Sequence, residues 1–249
     1  MSDVRWRVTA RDTRWLEWMA RWRFTTAPLI EREFTGRGES APLKAVERRL
    51  RGLAELGLLE YERVLADVPR LYWLTGDGVH AAGQHGAVAK PKLAEIRHDL
   101  AVMDVAHWLA SERVPSHSLV TEREIRREEW ATRGEPKPKR YSLPLPHPGS
   151  GRAGRAWPDL VSVSPEGKAW GHEVEASVKD HRRLVRLMLG FATSDVYRGA
   201  VYYPTSERTR ESVQRAADEA NETAQARGGR RPIAVTPWPI YETKEKADG

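Results

Sequence analysis

Asp159, Glu173 and Glu175 are spaced so that one tight bend can bring three carboxylates together. Residues 158–164 read as a strand, Pro165-Glu166-Gly167 as a turn and residues 168–178 as a returning strand. A three-residue loop, with Gly167 left-handed as a bulged type I turn requires, pairs Ser164 with Lys168 and therefore Asp159 with Glu173. A two-residue loop would slip the ladder by one and set Asp159 opposite His172, turned away from the glutamates. In the first register all three acids share a sheet face, because Glu173 and Glu175 are two residues apart on a strand of period two. Leu160, Trp170, Val174, Ala176 and Val178 then take the other face, expected to pack beneath the long helices that follow.

Neighbouring carboxylates repel one another unless protons, cations or arginines compensate. A hard divalent ion with oxygen ligands is the economical answer, so Mg²⁺ or Mn²⁺ is the expected cofactor. Asp159 and Glu173 are its expected ligands, and Glu122 is a candidate third. The catalytic candidates are Asp159, Glu173, Glu175 and Lys179, with Glu175 orienting or deprotonating an attacking water. On a continuous strand Lys179 would share the acids' face but lie about 13 Å from Glu175, at ~3.3 Å per residue. The purely structural alternative pairs Glu173 and Glu175 with Arg182, Arg183 or Arg186 of the next helix.

The elements that must carry these residues alternate, which makes residues 91–241 an α/β domain. A helix is expected over residues 91–112, a mixed-charge helix within 121–129, and a helix over 180–193. A strand over 197–203, a helix over 206–226 and a strand over 232–237 complete it, with the terminus 242–249 frayed. Between them, residues 134–155 form a long Pro-rich, basic loop in which Lys137, Lys139 and Arg140 could clamp a nucleic-acid strand. His98 and Asp99 read as a structural pair. Gly149-x-Gly151-x-x-Gly154 precedes a strand where a dinucleotide site must follow one, so it carries no nucleotide expectation.

Residues 1–88 form a separate expected domain. Asp12 stands as N-cap before the stripe Trp15, Leu16, Met19 and Trp22; a short helix follows from Ala27; and a third helix buries Leu43, Val46, Leu50 and Leu53. Strands over 58–63 and 71–74 form a ribbon. Three helices and a ribbon describe a winged helix. Its third helix offers Lys44, Arg48 and Arg51 on the opposite face, Arg37 and Ser40 precede it, and Arg63 and Arg70 flank the ribbon tip, as contacts to a groove and its phosphates require.

Two resemblances follow from these residues. The string Arg49-Leu50-Arg51-Gly52-Leu53-Ala54-Glu55-Leu56-Gly57-Leu58-Leu59, with Tyr72-Trp73-Leu74-Thr75-Gly76-Asp77-Gly78 after it, resembles the third helix and wing of bacterial winged-helix DNA-binding proteins. Pro158-Asp159 and Glu173-Val174-Glu175, with Ser177 and Lys179 beyond, resemble the PD-(D/E)xK nuclease core, although Glu175 stands where that core usually has Lys. The combination is similar to actinobacterial replication-relaxation family proteins of plasmids, phages and other mobile elements. That similarity implies a restriction-endonuclease-like second domain and a role in DNA replication or mobilisation. No His-hydrophobic-His relaxase site accompanies Tyr202 and Tyr203.

Composition narrows the classes. The 249 residues contain no cysteine, which removes disulfides, thiolate metal sites and thiol nucleophiles and fits a reducing, cytoplasmic setting. No stretch is apolar for long enough to span a membrane, and the first thirty residues lack a signal-peptide core. A net charge of +6 is compatible with DNA as partner without requiring it. Walker, HExxH and Gly-x-Ser-x-Gly motifs are missing. Three functions remain: a metal-dependent DNA phosphodiesterase, a noncatalytic DNA-binding regulator or replication accessory, and a module whose winged helix binds protein. Self-association into a homodimer is left open.

Overall fold

The first helix, α1 (Ala10–Met19), is capped by Thr9 rather than by Asp12. Asp12 sits in the first turn, where Thr9 N donates to its Oδ2 at 2.7 Å while Asp12 N donates to Thr9 Oγ1 at 3.3 Å, a reciprocal capping box. The same carboxylate receives Arg49 Nε at 2.7 Å and Nη2 at 2.5 Å. That fork is bidentate and almost closed to solvent, so it ties α1 firmly to α3. The sequence pattern identified the acidic side chain but not this cross-link.

In this computed structural model, residues 7–35, 38, 41–132, 140–146, 153–228 and 233–236 are described. The chain divides into two units, Met1–Ile96 and Arg97–Gly249. In the first, α1 is followed by β1 (Thr25–Thr26), α2 (Ala27–Thr35), α3 (Leu43–Glu55), β2 (Leu59–Glu62), β3 (Leu71–Leu74) and α4 (Gly76–Ala81). The strands form an antiparallel sheet in the order β1-β3-β2. Trp15, Phe34, Val46, Leu50 and Leu53 are buried. The expected ribbon therefore gains a third short strand at Thr25–Thr26, and Thr75 caps a helix, α4, that the sequence reading lacked.

The second unit runs α5 (Ile96–Trp108), β4 (Ser118–Thr121), α6 (Glu122–Ala131), β5 (Leu143–Pro146), β6 (Ala153–Ala156), β7 (Leu160–Val163), β8 (Ala169–Glu175), α7 (His181–Thr193), β9 (Tyr197–Pro204), α8 (Glu207–Ala226) and β10 (Ile233–Val235). Five strands form one mixed sheet ordered β10-β9-β8-β7-β4. β4, β7 and β8 make an antiparallel meander, and β8, β9 and β10 are parallel. The protein is thus mixed α and β. Part of the expected irregular loop 134–155 is ordered as the antiparallel pair β5–β6, while residues 133–139 and 147–152 lie outside the described residues.

The long helices cover the face opposite to the one expected. Leu184, Met188 and Phe191 of α7 and Val213, Ala216, Ala217 and Ala220 of α8 pack with Val161, Ala169, Ala200 and Tyr202. That is the face of Gly171, Glu173 and Glu175, by the period of two. Gly171 shows how close the cover lies: a Cβ there would stand 2.3 Å from Phe191 Cε1. The other face meets α5, with the Trp108 and Tyr203 rings edge to face at 6.2 Å. Glu175 ends β8, so Ala176 and Val178 are exposed instead of continuing the strand.

Candidate functional site

The bend between β7 and β8 decides which side chains meet. Gly167 has φ +77°, its N–H donates to Ser164 O at 2.8 Å, and Ser164 N donates to Lys168 O at 2.9 Å. Val163 pairs with Ala169 and Leu160 with His172, so the next rung sets Asp159 opposite Glu173. Asp159 is beyond the regular strand, yet its Oδ2 accepts from Val174 N at 2.8 Å. This side chain therefore bridges the strands and is fixed beside both glutamates. Its backbone is held as well, since Glu122 N donates to Asp159 O at 3.0 Å.

Glu173 and Glu175 lie at the carboxyl end of β8 and are 4% and 0% exposed. Burial, then the charge of Asp159, raises Glu173 well above the usual carboxylate range, with Lys179 opposing. Burial also raises Glu175, again against Lys179. Lys179 Nζ donates to Glu175 Oε1 at 2.8 Å. The expected 13 Å separation fails because the strand stops at Glu175 and the chain turns back before α7, which carries the ammonium into the cluster. Burial works against the Lys179 charge, but Glu175 and Glu173 outweigh it and raise this group.

His98, on α5, completes the charge pattern. Its Nε2 lies 3.3 Å from Asp159 Oδ2 and its Nδ1 3.5 Å from Asp99 Oδ1. Burial disfavours the imidazolium, yet the two aspartates prevail and push it up to about 10. Three carboxylates thus face two cations, Lys179 and His98. Two acceptors stay idle even so: Glu173 Oε1 and Glu175 Oε2 are sealed from solvent without a hydrogen-bond partner.

Buried carboxyl oxygens without donors are costly, and a small cation would satisfy them. Among the described residues no group of three or more His, Asp or Glu is arranged to hold a metal ion. A two-carboxylate site nevertheless suits Mg²⁺, which keeps several waters and is held by one or two carboxylates plus substrate phosphate. Glu173 and Glu175 fit that donor set. Asp159, expected as a direct ligand, has Oδ2 engaged by Val174 N and His98, which makes it the group that aligns the two strands.

Glu122 is drawn elsewhere. Its Oε1 receives Arg126 Nε at 2.7 Å, and Arg126 in turn stacks on Trp157 at 3.9 Å. Only the Glu122 backbone reaches Asp159, so its expected role as a metal ligand has no side-chain support. His172 belongs to the opposite face, where its ring joins Tyr203 Oη at 2.9 Å and Ser162 Oγ at 2.8 Å. All three are buried, and burial followed by the charge of His117 pushes the imidazole down to about 3, a neutral structural link.

In the first unit, Lys44, Arg48 and Arg51 are exposed along α3, opposite buried Val46, Leu50 and Leu53. Arg63 and Arg70 are exposed beside the β2–β3 connection; Arg63 Nη2 donates to Ala66 O at 3.1 Å, and Arg70 stacks on Tyr61 at 5.1 Å. Arg140 stacks on Tyr141 at 4.9 Å in the second unit. The candidates Arg37, Ser40, Lys137 and Lys139 lie outside the described residues. Among the described residues no helix is long and apolar enough to cross a membrane.

Sequence reasoning missed His98 as a member of the cluster. The adjacent His98-Asp99 pair was visible, but its second aspartate comes from a distant segment and no local pattern announces it. No family model, no curated protein and no solved structure matches the chain.

Proposed function

We propose that the chain is a DNA-binding protein whose second unit hydrolyses phosphodiester bonds with a divalent cation held by Glu173 and Glu175. One observation carries this reading: Asp159 fixes the ends of β7 and β8 together, and the adjacent glutamates present two buried oxygens with no donor. The PD-(D/E)xK resemblance assigns catalytic roles to the same strand ends. The helices and small sheet of the first unit support a winged helix, with Lys44, Arg48 and Arg51 of α3 against phosphates and groove. The resemblance to replication-relaxation proteins supports a role in replication or mobilisation of a mobile element.

When bound, Mg²⁺ or Mn²⁺ would polarise the phosphoryl group and offset its developing charge. Glu175 orients the attacking water and receives its proton. Lys179, 36% exposed along its side chain, stands between Glu175 and solvent and adds positive charge where a phosphate would approach. His98 holds Asp159 in place and contributes a second cation. Glu173→Gln should abolish metal-dependent cleavage of supercoiled or linear DNA while leaving DNA retention unchanged. Wild-type protein that cleaves neither form with Mg²⁺ or Mn²⁺ would overturn the proposal.

A second reading has its own support. Lys179 and His98 already offset much of the carboxylate charge, as a noncatalytic DNA-binding regulator or replication accessory with a degenerate site would require. It predicts salt-dependent DNA retention with no cleavage and no saturable Mn²⁺ binding.

A further inference from the structure

Tyr202 lies on β9 directly beside Glu173, since the two residues are paired across the parallel β8–β9 ladder. Paired positions on neighbouring strands project to the same face. Tyr202 is fully buried under α7 and α8, and its hydroxyl, like Glu173 Oε1 and Glu175 Oε2, has no hydrogen-bond partner. The anions acting on that hydroxyl are Glu173, Glu175 and Asp159. A donor and two acceptors therefore stand idle, all buried, on the helix-covered face of the sheet. Packing alone does not account for the hydroxyl, because phenylalanine would fill the same apolar space among Val161, Met188 and Val213 without stranding a polar atom.

We propose that Tyr202 is a positioning residue for Glu173, its hydroxyl donating to the carboxylate from behind when the glutamate holds a divalent cation. This assignment rests on the metal-binding reading above. Carboxylates that hold metals are themselves held by donors behind them, and loss of such a donor weakens metal binding about 10- to 100-fold. In the metal-free protein the same hydroxyl contributes nothing, which separates this role from ordinary core packing.

The test is a calorimetric titration of the full-length wild type and Tyr202→Phe with Mn²⁺, together with thermal unfolding of both without metal. The expected result is Mn²⁺ binding weakened about tenfold in the variant, with a metal-free melting temperature equal to or above that of wild type. Equal Mn²⁺ affinity in the two proteins overturns the Tyr202 role and leaves the metal site standing. A lower metal-free melting temperature also overturns it, because the hydroxyl would then already be satisfied without the cation. Wild-type protein with no saturable Mn²⁺ binding removes the metal-binding reading, and this assignment with it.

Discussion

Replacing Asp159 in two ways separates its backbone role from its charge. Its Oδ2 accepts from Val174 N at 2.8 Å, and Val174 is fully buried. Asp159→Ala leaves that N–H, on a buried residue, without its acceptor. A stranded buried donor costs about 1–3 kcal/mol. For a unit of this size each kcal/mol lowers the melting temperature by about 2–4 °C, so the expected drop is about 2–12 °C. Asp159→Asn keeps an oxygen for Val174 N and loses only the attraction to partly exposed His98, about 1 kcal/mol or less. Thermal unfolding followed by circular dichroism at neutral pH without divalent ions measures both. An alanine variant as stable as wild type, or an asparagine variant as damaged as alanine, would refute the claim that this side chain joins the two strands.

Other consequences can be checked independently. Gly171→Ala drives a methyl group into Phe191, with 2.3 Å between Cβ and Cε1, and should cost about 1–3 kcal/mol as a lower urea midpoint; an unchanged midpoint would mean that α7 does not lie on this face. His98 is held up to about 10 against an ordinary 6.5, so its stabilising contribution is complete below pH 6.5 and is lost as pH rises towards 10. The slope is at most about 1.4 kcal/mol per pH unit, reduced by partial exposure, and His98→Gln should flatten it; an unchanged stability profile would contradict the pairing. Lys44→Ala and Arg48→Ala should each weaken DNA retention and make its salt dependence shallower by about 0.9 in the log–log slope per lost phosphate contact. Wild-type salt dependence in both variants would point to a first unit that does not use α3 on DNA.

What could be read from the sequence was local. The three-residue bend was legible because Gly167 occupies the position that needs a left-handed backbone, and its carbonyl and amide bonds follow from that alone. The cationic face of α3 was legible because Lys44, Arg48 and Arg51 recur with helical spacing opposite the apolar stripe. The helix-covered side of the sheet was not, because nearly all of β8 is buried and alternation then says nothing about which face meets which layer. Lys179 was misplaced because extending the strand past Glu175 assumed a regular path that the chain abandons there. His98 was undervalued because its pairing with Asp159 depends on α5 reaching the end of β7, and Tyr202 because the β8–β9 register is set across an intervening helix.

Whether Glu173 and Glu175 together hold a divalent cation is decided by Mn²⁺ calorimetry on wild type and Glu173→Gln. One saturable site is expected in the wild type, lost in the variant while DNA retention persists. Saturable binding that survives Glu173→Gln, or a wild type that takes up no Mn²⁺, would contradict it.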